Sequence, residues 1–305
     1  MSNTTPNLNL QDLLQNAQLP ALPQSAIRLL ELSQNLDNGP AEFAAPIEAD
    51  PGLTGQVLKF VNSSYFGFSR EINSVKLAIT LVGIRTIKNF ALWSAVFSLM
   101  PNPKCGPFDL RSLWQDSLRR ALFARAFGRL LGMKDGEEVF AAALLQDMAI
   151  PLLAKEIPAR YVKLLEGRVD GSIRLSDLER AELGFTHADA AAFMARHWSL
   201  PEEFAKLIEL HSSLDRLITE GCKDRGSLSV GLSALLPSAS DANWSEKEKF
   251  TSLFKTLSAG LGKSTADLLE QVDKEFNDFA PVLRLAVPAK SLISYLQTEE
   301  ASVSA

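Results

Sequence analysis

The chain is organised around residues Phe140 to Ile150, which read FAAALLQDMAI. A run of small and large apolar residues ends in the pair Gln146-Asp147, inside a segment too apolar for a surface. A carboxylate buried there without a partner is costly, because it loses its hydration and gains nothing in return. Asp147 therefore needs a cation or hydrogen-bond donors. Arg119 and Arg120, on the amphipathic stretch that precedes it, are the candidates.

The chain has 305 residues, enough for one large domain or two modest ones. With 46% apolar and 22% charged residues, its composition is ordinary for a soluble globular protein. A net charge of −5 argues against bulk binding to nucleic acid or to an anionic membrane. Cys105 and Cys222 form neither a metal-type spacing nor a disulfide framework, which fits a reducing compartment. The N-terminal MSNTTPNLNL lacks the basic and apolar regions of a signal peptide. The longest apolar stretch, Val75 to Met100, is broken by Lys76, Arg85 and Lys88, so no membrane span is expected. These features lead to the expectation of a cytoplasmic protein.

Hydrophobic periodicity is helical and period-2 alternation is nearly absent, so the expected fold is all-α, with about a dozen helices. Residues 1–18 are polar and expected to fray. LPALP at Leu19–Pro23 leads into a helix from about Ser25, and Asp37-Asn38-Gly39-Pro40 turns into the next. Asp50-Pro51 and Ser74 open two further helices, the second stopping at Gly83, and another runs from Ile84 to Met100. Pro101-Asn102-Pro103 is the best candidate boundary. A long helix comes next, about Leu110 to Leu131, closed by Gly132. Asp135 starts the helix that carries Gln146-Asp147, and Pro151 and Pro158 divide the next stretch into two short helices. Three later pairs have capping-box spacing: Ser176 with Glu179, Ser199 with Glu202, and Ser245 with Glu248. Thr186 with Asp189 is a weaker version of that signal.

Several ordered motifs carry a family resemblance. LPALPQSAIRLLEL (19–32), IEADPGLTGQVLKFVNSSYFG (47–67) and INSVKLAITLVGIRTIKNFAL (72–92) lie in the first third. LWQDSLRRAL (113–122), FAAALLQDMA (140–149), GFTHADAAAFMARHWSLP (184–201) and IELHSSL (208–214) lie beyond them. Through these motifs the chain resembles the HDOD domain, the HD-related output domain of bacterial signalling proteins. The resemblance covers Leu19 to Leu214. It implies a multi-helical bundle with an N-terminal helical subdomain (19–105) packed on a degenerate HD-like core (106–215). A polar segment (1–18) precedes them, and a helical extension (216–305) either trails the bundle or completes it.

HDOD domains are similar to HD phosphohydrolases, whose helical core holds one or two metal ions. Those enzymes use a His, an adjacent His-Asp pair and a later Asp as ligands, and the metal activates a water that attacks phosphorus. On this resemblance the first His falls at Asp116, the His of the pair at Gln146, and the last Asp at Ala234. Asp147 is retained, and His187 and His211 stand where more complete members carry His. The resemblance thus implies a degenerate metal site, with no catalysis and no cofactor expected. If a divalent ion did bind, the set Asp116, Asp147, His187 and His211 would suit Mn, Fe or Zn. The implied function is a non-catalytic signal-transduction module that binds a signalling protein or a small ligand. The alternatives are a residual metal-dependent phosphohydrolase acting on a nucleotide, and a nucleic-acid-binding regulator.

The remaining polar features have plain structural readings beside the functional ones. His187 comes after Thr186 at a helix start, and His197 beside Trp198 is packing or surface. His211 reads as a helix terminus, where a cationic His suits the dipole. Asn62, Ser63, Tyr65 and Phe66 form a polar, aromatic turn that either satisfies helix-end backbone groups or presents a corner to a partner. Arg70, Lys76, Arg85 and Lys88 surround Leu81-Val82-Gly83-Ile84, a faint helix-turn-helix signal. Four scattered cations in an acidic chain read as a solvated face, so nucleic acid is not expected.

Overall fold

The structure, a computed structural model, describes residues 8–298 except 18, 36, 135, 170 and 282. Among the described residues there are eighteen α-helices, one 3-10 turn and no strand. The all-α expectation holds, but proline and glycine punctuation cuts the chain more finely than a dozen helices. None of the helices is long and apolar enough to cross a membrane.

The first six helices are α1 (Leu10–Asn16), α2 (Gln24–Leu32), α3 (Pro40–Glu48), α4 (Pro51–Val61), α5 (Val75–Val82) and α6 (Ile84–Leu99). Residues 10–16 are helical rather than frayed, because Asn9 Oδ1 caps Gln11 N at 2.8 Å and Leu14 is buried. Residues 1–7 of the polar segment, and Asp135, lie outside the described residues. Asp50 and Ser74 cap α4 and α5 as their positions suggested, accepting from Leu53 N and Leu77 N.

Next is the 21-residue α7 (Leu110–Leu130), which packs on α8 (Glu137–Leu145). Then come α9 (Ile150–Glu156), α10 (Pro158–Glu166), α11 (Leu175–Leu183), α12 (His187–His197) and α13 (Glu202–Leu210). A 3-10 turn, His211–Ser213, leads to α14 (Leu214–Thr219) and α15 (Arg225–Ser233). The chain closes with α16 (Lys247–Leu257), α17 (Thr265–Phe279) and α18 (Leu292–Gln297). The later helices meet the earlier ones through α6 on α8, where Asn89 Nδ2 donates to Glu137 O, and through Trp198 Nε1, which donates to Pro20 O at 2.9 Å.

Residues beyond 215 share this core. α15 and α17 pack directly on α7. Phe123 and Phe127 of α7, both fully buried, lie 5.2 and 5.1 Å from the rings of Phe250 and Phe254 on α16. Gln115 Nε2 donates to Ala286 O, and Arg119 donates to Lys290 O while lying over the Phe276 ring.

The three stronger capping-box spacings do not form. Ser176 lies inside α11, whose cap is Arg174, and Glu179 turns inward instead. Ser199 has φ of 57° and ends α12, so α13 starts after Pro201. Ser245 Oγ donates to Gly171 O, leaving Glu246 as the cap of α16. The weaker pair is real: Thr186 and Asp189 close a full capping box on α12. In each failed case a tertiary partner or a left-handed backbone took the residue away from its local role.

Deleting residues 215–305 would strip α7 of its partners on two sides and expose Phe123 and Phe127. The shortened chain is expected to lose near-UV circular dichroism and cooperative thermal unfolding. A soluble 1–214 fragment with a sharp melt would show the C-terminal helices to be an appendage.

Candidate functional site

Helices α7, α11 and α12, the turn after α8 and the end of α13 bring chemically active groups together. On α7, Asp116 and Arg120 are four residues apart and share a face. The turn after α8 carries Asp147 inward, 1% exposed. On α11, Glu179 occupies the stripe of Leu175 and Leu183, four residues from each, and is completely buried. Gly184, at φ of 81°, reverses the chain so that His187 opens α12 facing back toward Glu179. His211 enters at the end of α13 and is 2% exposed.

These groups form a continuous buried network. Arg120 donates to Asp147 Oδ2. Asp147 Oδ1 lies 3.3 Å from His187 Nε2 and 3.6 Å from His211 Nε2, and the two Nε2 atoms are 3.1 Å apart. His187 Nδ1 lies 2.6 Å from Glu179 Oε2, which also accepts the His187 backbone N–H at 2.8 Å. The other Glu179 oxygen accepts from the buried Tyr161 hydroxyl. His211 Nδ1 lies 2.5 Å from Ile208 O, to which it donates.

Charge is set by these contacts. Burial works to raise the Asp147 pKa, but Arg120 and then His187 outweigh it and hold the carboxyl well below the usual range. Burial disfavours a charged His187, yet Glu179 and Asp147 raise its pKa to about 9. His211 goes the other way: burial pushes its pKa down to about 3, against the pull of Asp147. His211 is therefore a neutral buried imidazole in the metal-free protein, not the cationic helix terminus expected from the sequence.

The network opens onto a cavity of about 150 Å³ whose wall includes Asp116, Arg120, Asp147, His187, His211 and Ala234. Asp116 is not among the converging donors: it accepts from Ser238 Oγ and from Ala239 N at 2.6 Å. Gln146 is buried, lies off the cavity wall, and neither atom of its amide finds a hydrogen-bond partner among the described residues. Ala234 presents only a methyl group at the end of α15. Arg168 and Asp241, paired at 2.7 Å, also line the cavity.

The other sequence candidates lie elsewhere. Asn62 bridges Ile72 through both its amide atoms, Ser63 Oγ donates to Phe60 O, and Phe66 packs edge-on against Phe60. The Tyr65 ring lies under the Arg125 guanidinium at 5.2 Å. At this corner Asn62 is exposed and Ser63, Tyr65 and Phe66 are half-buried. His197 is exposed. Arg70, Lys76 and Arg85 are exposed and Lys88 half-buried, but a single residue, Gly83, separates α5 from α6. That is not the three- to four-residue turn of a helix-turn-helix. Glu179, Tyr161 and Ser238 were missed from sequence. A charged residue in register with Leu175 and Leu183 was the available signal for Glu179.

Among the described residues, Asp147, His187 and His211 are the group that could hold a metal. Their donor atoms form a triangle with edges of 3.1, 3.3 and 3.6 Å. A tetrahedral ion with bonds near 2.0–2.1 Å has donors about 3.3 Å apart. Both imidazoles are held at Nδ1 by an acceptor, leaving Nε2 as the ligand atom, the usual arrangement around a bound metal. Arg120 engages the opposite oxygen of Asp147 and leaves this face clear. The residues fit one ion, which would displace the proton that His187 carries below about pH 9.

Titration of this network sets how stability depends on pH in the metal-free protein. His187 titrates near 9 in the fold against about 6.5 unfolded, so its contribution is complete below 6.5 and is lost as pH rises through 9. His211 is neutral in the fold down to about 3, so stability also falls as pH drops below 6.5, where the unfolded chain takes up the proton. Melting temperature measured in chelator from pH 4 to 10 is expected to peak at about pH 6–7. A melting temperature that keeps rising from pH 7 to 9 would contradict the assignment of His187.

Residues 19–214 match the family described as HDOD domain. An uncharacterized protein of Treponema pallidum (strain Nichols) is 23% identical over 197 residues, which are 64% of this chain. The chain spans only 38% of the length of that relative. Among solved structures, an HDOD domain protein of unknown function from Geobacter sulfurreducens is similar with a TM-score of 0.71 at 18% identity, covering 91% of this chain and 97% of the other. A Shewanella amazonensis SB2B protein provisionally named a phosphohydrolase gives 0.68 at 22% identity, covering 89% and 97%. A Marinobacter aquaeolei VT8 protein provisionally named for signal transduction gives 0.66 at 21%, covering 92% and 67%. At these identities the structural likeness speaks for a shared fold. The match over more than half of its length makes this chain a member of the HDOD domain family.

Proposed function

We propose that this chain is a non-catalytic regulatory module of bacterial signal transduction, whose cavity takes up one divalent metal ion and a small ligand beside it. The observation that carries this reading is Arg120 on Asp147 Oδ2. The ligand set that the HD resemblance implies needs the paired carboxylate free, together with the first His, the paired His and the later Asp. Here the fixed guanidinium occupies that carboxylate, Asp116 is turned to Ser238 and Ala239, and Ala234 offers no donor. The opposite oxygen keeps its two imidazoles.

Asp147, His187 and His211 would hold the ion, and two nitrogens with one carboxylate suit Zn, Fe or Mn. A bound ion would supply a Lewis acid beside the cavity. Glu179 and Ile208 hold the imidazole rings, and Arg120 pins Asp147. The name of the Marinobacter relative agrees with a signalling role.

A residual metal-dependent phosphohydrolase is the second reading, favoured by the donor triangle and by the name of the Shewanella relative. Metal content and turnover separate the two. After incubation with Mn, Fe or Zn, elemental analysis is expected to find one ion per chain. Asp147→Ala is expected to abolish it, and nucleotide phosphodiesters are expected to stay intact. Turnover that Asp147→Ala removes, with one ion or two per chain, would establish the hydrolase. A folded protein that stays empty would remove the metal from the proposal.

A further inference from the structure

Glu179 is a fully buried carboxylate with both oxygens engaged, and helix capping accounts only for its contact with the His187 backbone N–H. Thr186 and Asp189 satisfy two other N–H groups of that terminus in a capping box. What Glu179 adds is its hold on the His187 ring: Oε2 meets both the backbone N–H and Nδ1, so the ring cannot turn without losing a buried contact. Tyr161, also fully buried, fixes the carboxylate from the other side. His211 is held in the same sense by Ile208 O. Two rings on different helices therefore present the same nitrogen to the same oxygen of Asp147. A carboxylate behind an imidazole also makes the far nitrogen a better donor to a metal.

We infer that Glu179 is a positioning residue that commits His187 to metal ligation through Nε2, with Tyr161 holding Glu179 in place. The inference rests on the one-metal reading of the cavity. It differs from a purely structural role, in which Glu179 only neutralises a buried imidazole and metal affinity is indifferent to it.

The test is titration of the full chain with Co(II), read by calorimetry and by visible absorption of the bound ion. Glu179→Gln keeps the shape of the side chain and removes its charge. It is expected to weaken Co(II) binding about 10- to 100-fold and to alter the absorption band. Tyr161→Phe should show a smaller loss in the same direction, and it decides the matter if Glu179→Gln fails to fold. Glu202→Gln, which breaks a surface pair with Arg196, should bind as the parent does. If the parent binds Co(II) and the Glu179 and Tyr161 variants bind it with equal affinity and the same spectrum, Glu179 is structural and the inference fails alone. If the parent binds no Co(II), the metal reading fails and takes the inference with it.

Discussion

The rest of the structure depends on a carboxylate that has almost no access to water. Asp147 is 1% exposed, and a lone charge there would be prohibitive. It is matched on one oxygen by Arg120 and on the other by the edges of two imidazoles. Each partner comes from a different helix. Satisfying one buried charge thus fixes how α7, the α8 turn, α12 and the end of α13 meet. Glu179 extends the constraint to α11, and Tyr161 extends it to α10.

The same logic explains why the C-terminal helices belong to the core. Asp116 is nearly buried as well, and burial raises its pKa despite the nearby Arg120. Its hydrogen-bond donors are Ser238 and Ala239, more than a hundred residues away in the chain. Tyr295 then anchors that segment by donating to Asp241 O at 2.6 Å. The loop that covers Asp116 is also a wall of the cavity, so the last third of the chain contributes to the site.

Much of this was legible in the sequence, for identifiable reasons. Asp50, Ser74, Gly83, Gly132 and Pro158 act within a few residues of themselves, and local chemistry set the helix ends they mark. Asp147 announced its need for a cation because its surroundings were uniformly apolar, and Arg120 was one of two candidates on the preceding helix. What local spacing could not reveal was competition from distant partners. Ser176 and Glu179 have the spacing of a cap, yet His187 claims Glu179. Ser245 has the same spacing and spends its hydroxyl on Gly171. The neutrality of His211 was hidden too, since it depends on burial and on Ile208 rather than on helix position.

The central claim is that one divalent ion sits on the face made by Asp147, His187 and His211, with Arg120 in place of a second. Anomalous diffraction from crystals of the metal-loaded protein, collected at the absorption edge of the added metal, tests it most directly. A single peak about 2.0–2.2 Å from Asp147 Oδ1 and both Nε2 atoms is the predicted result. A second peak between Asp116 and Asp147, with Arg120 displaced, or no peak at the triangle, would contradict it.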